Sequence, residues 1–134
     1  MSNPNLRTFL ELAEQAGEVV HIKEHLDPKF EVSAVLAKLE EQEKYPACVF
    51  ENVGGGEYPV VSNLFASRSR LALALGCSAA ELNAVYRKRE DKQIAPVMVD
   101  SGPVQEVVLR GDDVDLYQLP ILTHNALDAG PYVT

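Results

Sequence analysis

A change of texture near residue 100 constrains the fold of this 134-residue chain more than any other feature. Before it, runs with helical period alternate with short β-branched runs. After it, a tail of about 34 residues carries β-like runs only, too short to close a sheet of its own. The expected architecture is an α/β (α+β) unit over residues 1–100, followed by a β-rich segment over 101–134. Pro131-Tyr132-Val133-Thr134 reads as the opening of a strand with no turn or partner after it, so the chain is expected to stop inside an element. The length suits one core and excludes a self-contained two-domain enzyme within these residues.

Leu6, Phe9, Leu10 and Ala13 recur at i, i+3, i+4 and i+7, with Asn3 or Asn5 as the cap and Gly17 as the terminator, which predicts a helix over about 5–16. Glu18 to Lys23 reads as a strand. Asp27 is expected to cap a second helix with Pro28 at its first position and Val32, Val35, Leu36 and Leu39 as its apolar stripe. Ala47 to Phe50 and Tyr58 to Ser62, joined through Gly54-Gly55-Gly56, predict a β-hairpin. Ser67 opens a short helix that stops at Gly76. Ser78 to Glu81 reads as a capping box for a further helix ending near Arg89. Beyond the polar break at 90–93, strands are expected over 97–99, 104–109 and 114–122.

The balance of 12 Lys plus Arg against 20 Asp plus Glu gives a formal charge of -8, which opposes nucleic acid or an anionic membrane surface as the main partner. Cys48 and Cys77 do not make a disulfide framework, the first residues lack the pattern of an export signal, and no apolar run approaches a membrane span. A cytoplasmic location is expected.

Few side chains carry a chemical signal. His21 and His25 flank the end of a strand and lack a third metal ligand, so solvated or edge positions are expected. His124 falls in a polar loop and either lines a pocket or is a plain loop residue. Cys77 lies at a helix start that would lower its thiol pKa, but without a positioned histidine both cysteines read as small buried residues. The triple glycine lacks the Lys-Ser/Thr of a phosphate loop, and Asp112, Asp113 and Asp115 lack the remaining ligands of a calcium loop, so both read as turns. Arg68 and Arg70 with Arg87-Lys88-Arg89 form the basic grouping and read as a solvated helix face.

Two sets of residues, taken in order, resemble a known family. Pro103 to Leu116, then Leu119-Pro120-Ile121, then Asp128 to Thr134 look like the opening of the flavin-binding domain of the UbiD-like decarboxylases. Leu6 to Leu10, Gly17-Glu18-Val19, Phe50 to Val53, Asn63 to Ser67 and Leu73 to Gly76 are similar to that family's N-terminal domain. The resemblance implies an N-terminal α/β domain followed by the first strands of a flavin-binding split β-barrel. It also implies reversible non-oxidative decarboxylation of an aromatic, heteroaromatic or α,β-unsaturated carboxylic acid with prenylated FMN, a divalent metal such as Mn2+, and K+.

The family's Glu-Arg-Glu network and its Asn, His and Glu metal ligands correspond to segments beyond Thr134, so no catalytic, cofactor-binding or metal-ligating residue is carried over to this chain. One position is carried over: Thr134 matches the threonine that runs to the edge of the substrate and flavin pocket, beside its plain reading as a strand threonine. The family also implies a homo-oligomer, dimer or hexamer, and leaves the 134 residues alone inactive. A rival reading is a non-catalytic small subunit that docks on a larger partner through its open β edge. A cysteine-dependent enzyme is a third, and would require a reactive Cys77.

Overall fold

A three-stranded sheet of order β1-β2-β3 organises residues 5–132, which the computed structural model describes. β1 (Val19–Ile22) pairs in parallel with β2 (Ala47–Phe50), with Val19 opposite Ala47 and Ile22 opposite Phe50. β3 (Val60–Ser62) pairs antiparallel with β2. A parallel pair needs a long crossover, supplied here by helix α2 (Glu31–Glu41). The antiparallel pair needs only a turn, in which Gly54 and Gly55 take φ of 63° and 72°, a region open to glycine without steric cost.

Strand β2 is buried along its whole length because it has a neighbour on each side and cover on each face. Side chains alternate across a strand, so Cys48 and Phe50 share one face and meet Val32 of α2 and Val53 in the main apolar cluster. Ile22, Val35, Leu36 and Leu39 pack against it, which places the apolar stripe of α2 where its periodicity puts it. Helix α1 (Leu6–Gln15) touches β1 and α3 (Arg68–Leu75), and buries Ala13 outside that cluster. Helix α4 (Leu82–Glu90) packs on α3.

Local chemistry sets most of the boundaries. The Asn5 side chain accepts from Thr8 N at 3.0 Å and starts α1; Ser67 accepts from Arg70 N at 3.2 Å and starts α3. Gly76, at φ 63°, ends α3 as a left-handed C-terminal residue. Ser78 and Glu81 make the expected reciprocal bonds, Glu81 N to Ser78 Oγ at 3.3 Å and Ser78 N to Glu81 Oε2 at 3.1 Å, just ahead of α4.

Three expectations are corrected. Helix α2 begins at Glu31, not at Pro28: Asp27 Oδ1 accepts from Lys29 N at 2.7 Å in a tight turn, Pro28 O and Phe30 N are bonded to Thr123, and the first helical bond is the one Phe30 O accepts from Ala34 N. The α+β class stands and the sheet is open, but the strands expected over 97–99, 104–109 and 114–122 are not formed. Pro103–Gln105, Gly111–Asp113 and Leu116–Gln118 are single 3-10 turns, and apolar side chains before and between them, such as Val97, Met98, Val107 and Val108, are exposed. A strand lacks stability without a neighbour to pair with; within the described tail the one pairing is the isolated bridge of Thr123 to Lys29. Arg70, finally, is not solvated but buried.

Candidate functional site

The two textures of the sequence meet at Thr123. Its N–H donates to Pro28 O at 3.1 Å and its carbonyl accepts from Phe30 N at 3.0 Å, so residues 28–30 and 123 form a short parallel seam. Leu122 packs against the main cluster beside it. Phe30 has φ 76°, a left-handed conformation that costs a bulky residue about 1–2 kcal/mol. The bond to Thr123 and the start of α2 on its C-terminal side hold it there. One helical turn on, Ser33 Oγ lies 3.0 Å from His124 Nδ1, and Asp128 Oδ2 accepts from Asn125 N at 2.9 Å to close the following loop.

A cavity of about 300 Å3, lined by Lys29, Phe30, Thr123 and Asp128 among others, and two larger ones adjoin this seam. One, of about 680 Å3, is an open polar cleft whose lining includes Ser33, Glu40, Tyr45, Asn63, His124 and Asn125. The other, of about 660 Å3, is lined by Pro28, Lys29, Tyr117, Thr123 and Tyr132 among others. His124 is therefore a loop residue that lines a pocket.

Arg70 braces the cleft from beneath. Its side chain, 1% exposed, donates through Nη1 to Glu18 Oε2 at 2.7 Å, through Nε to Leu64 O at 2.9 Å, and through Nη2 to Asn63 O at 2.9 Å and to Tyr45 O. Tyr45 and Asn63 line the cleft, and Asn63 holds φ 58°, which an Asn tolerates better than most residues. The Ser69 hydroxyl, with the Arg70 guanidinium and Ser67, holds the Glu18 carboxyl below its usual value against partial desolvation. Sequence reasoning missed this group because the partners of Arg70 are a carboxylate 52 residues away and three backbone carbonyls, none of which a local pattern displays.

The other candidates are dispersed. His21 sits on the exposed side of β1 between Glu14 and Glu51, 2.8 Å from each, and both carboxylates raise its pKa, Glu14 first. Cys48 is buried, which pushes its thiol pKa up, and Cys77 is half-buried at the end of α3, apart from the cleft. Asp115 Oδ1 accepts from Tyr117 N at 2.9 Å, and Asp112 and Asp113 lie in the preceding 3-10 turn, so the acidic run makes turns as expected. Arg87, Lys88 and Arg89 are exposed in the last turn of α4, where their charges complement the negative end of its dipole. Thr134 lies outside the described residues. Among the described residues no group of three or more His, Cys, Asp or Glu is placed to hold a metal ion, and no helix is long and apolar enough to cross a membrane.

Comparison with known proteins is consistent along the whole chain. Residues 10–89 match the family described as the 3-octaprenyl-4-hydroxybenzoate carboxy-lyase N-terminal domain, and residues 96–134 match that family's Rift-related domain. An evolved dimeric form of the UbiD-class enzyme HmfF from Pelotomaculum thermopropionicum, solved in complex with prFMN, is 32% identical with a TM-score of 0.82, over 98% of this chain and 31% of that one. Vanillic acid decarboxylase of Sedimentibacter hydroxybenzoicus in open form is 31% identical with a TM-score of 0.82, over 95% of this chain and 29% of that one. The apo 3,4-dihydroxybenzoic acid decarboxylase AroY of Klebsiella pneumoniae is 30% identical with a TM-score of 0.77, over 94% and 29%. The chain thus spans about three-tenths of the length of these relatives. With both domain profiles matched in order and the same backbone arrangement at about 30% identity, the chain belongs to the UbiD family of carboxy-lyases.

Proposed function

We propose that these residues are the N-terminal part of a decarboxylase that removes carbon dioxide, reversibly and without oxidation, from an aromatic, heteroaromatic or α,β-unsaturated carboxylic acid. The observation that carries this reading is the similarity in sequence and in backbone to solved decarboxylases of vanillic and 3,4-dihydroxybenzoic acid, together with the prFMN-bound relative. When bound, prenylated FMN supplies the electron sink for loss of the carboxylate. The enzyme would work in the cytoplasm with Mn2+ and K+ beside the flavin, as a homo-oligomer, dimer or hexamer.

The described residues do not fit that cofactor set. They contain no metal-holding group, and the glycine turn at 54–56 leads into β3 instead of a helix N-terminus, with the Cβ position of Gly54 only 3.3 Å from the Pro28 ring. No chemical step is assigned to these side chains. Their role in this reading is mechanical: an N-terminal domain ending near residue 100 supports the start of the flavin domain, which it grips at Lys29, Phe30, Ser33, Thr123 and His124. From that grip the chain runs through Gly130 and Pro131 towards Thr134, proposed as the edge of the substrate and flavin pocket.

The test is to co-express the 134-residue chain and the whole reading frame, separately, with a flavin prenyltransferase. The whole frame is expected to carry flavin absorbance and to release carbon dioxide from a panel of aromatic and heteroaromatic acids. The 134-residue chain is expected to do neither, and stoichiometric flavin on it overturns the assignment of cofactor binding to other residues.

A further inference from the structure

We propose that His21, Glu14 and Glu51 form a pH-sensitive clamp that fastens helix α1 to the sheet. His21 alternates with Ile22 along β1, and Ile22 packs into the main cluster, so His21 points from the opposite face. There its Nε2 lies 2.8 Å from Glu14 Oε1 in the last turn of α1, and its Nδ1 lies 2.8 Å from Glu51 Oε1, one residue past β2. The end of α1, β1 and the residue after β2 therefore meet on one imidazole.

An ionised carboxylate only accepts hydrogen bonds, so both contacts are bonds only when both ring nitrogens carry protons. The imidazolium satisfies both; either neutral tautomer turns a lone pair towards one of the carboxylates. The arrangement therefore has two states that differ by one proton. It does not suit a metal ion, because the two nitrogens address their carboxylates from different edges of the ring, and no metal-holding group includes them. The remaining surroundings do not substitute for the proton. The residue opposite His21 in register is the apolar Val49, the Arg70 charge of α3 is engaged by Glu18, and Lys23 lies two residues on along the chain. Among the described residues His21 is the cation paired with both Glu14 and Glu51.

The clamp matters because α1 has few other anchors. Ala13 is its one buried residue, Leu6 and Leu12 are exposed, and its aromatic contact is Phe9 with Phe65 at 5.4 Å between ring centroids. Phe65 also lines an apolar groove of about 600 Å3 between α3 and α4, so loosening α1 uncovers the Phe65 end of that groove. The sign follows from the carboxylates, which raise the His21 pKa above its ordinary 6.5. The contribution of the clamp is complete below about pH 6.5 and is lost as pH rises through the higher native value.

The test is a pH titration of the chain by NMR, following the His21 ring protons and amide exchange in α1, with β2 amides as the internal reference. His21 is expected to titrate at higher pH in the wild type than in Glu14→Gln or Glu51→Gln. Protection of α1 is expected to fall by about two- to fivefold across that titration, the range an exposed ion pair supports. In His21→Gln, which carries no titrating proton, α1 protection should no longer follow pH. An unchanged His21 pKa in both glutamine variants, or the same pH profile of α1 in His21→Gln as in the wild type, overturns the proposal.

Discussion

Arg70 and Glu18, 52 residues apart in sequence, meet at 2.7 Å between Nη1 and Oε2, and the arginine side of this pair is 1% exposed. The guanidinium also closes the hydrogen bonding of three backbone carbonyls, those of Tyr45, Asn63 and Leu64. Arg70→Ala should destabilise the chain by about 3 kcal/mol or more, since it strands these acceptors in a cavity. Arg70→Lys should recover only part of the loss, because an ammonium does not reproduce the planar fork. Urea unfolding of the two variants against the wild type measures both.

The same pair sets an acid limb. Hydrogen bonds from Ser69, Arg70 and Ser67 hold the Glu18 carboxyl below its ordinary value of 4.5, so its contribution is present above that value and is lost as pH falls through the lower native pKa. Glu18→Gln should be less stable than the wild type at neutral pH, and the gap should narrow as pH drops from about 5 towards about 3. Thermal melts across that interval test the sign, and a gap that stays constant contradicts it.

Much of this architecture was legible in sequence where a single residue type dictates a backbone state. Gly76 had to end α3, Ser67 had to start it, and the glycine turn had to join β2 to β3, because each is a local demand of capping or of positive φ. The features that escaped are those settled at long range. The start of α2 moved from Pro28 to Glu31 because Thr123, far along the chain, took the backbone bonds at Pro28 and Phe30. Arg70 read as solvated because its carbonyl partners leave no mark in sequence. The β-branched runs after residue 96 carry the propensity for strands, but propensity without a pairing partner does not make one. Of the site, the loop position of His124 was legible but its sequence left open whether it lines a pocket, and its Ser33 partner had no visible signal.

Thr123→Pro removes the N–H that bonds Pro28 O and so opens half of the seam. Limited proteolysis should then cut within residues 119–131 faster than in the wild type, while the β1–β2 core remains resistant. Equal cleavage rates would show that the segment is held elsewhere.

Gly76 occupies left-handed backbone at φ 63° with open space where a Cβ would stand. Gly76→Ala should therefore cost about 1 kcal/mol through backbone conformation alone, with no steric addition. A loss well above that, by chemical denaturation, would point to a contact that the geometry does not contain.

The two thiols should separate kinetically. Cys48 is buried at the centre of β2 and burial raises its pKa, so a disulfide reagent at neutral pH should modify it only as fast as the sheet opens. Cys77 is partly exposed and should react first. Mass mapping of the first adduct decides this.

β2 is the strand through which the described sheet is connected, since β1 and β3 each bond to it and not to each other. Neither edge strand keeps a ladder once that hub is lost. Losing β2 dissolves the parallel ladder and the hairpin together, so any opening of β2 leaves both edge strands unpaired at once. The Thr123 seam, through Pro28 and Phe30, grips the crossover that joins β1 to that hub.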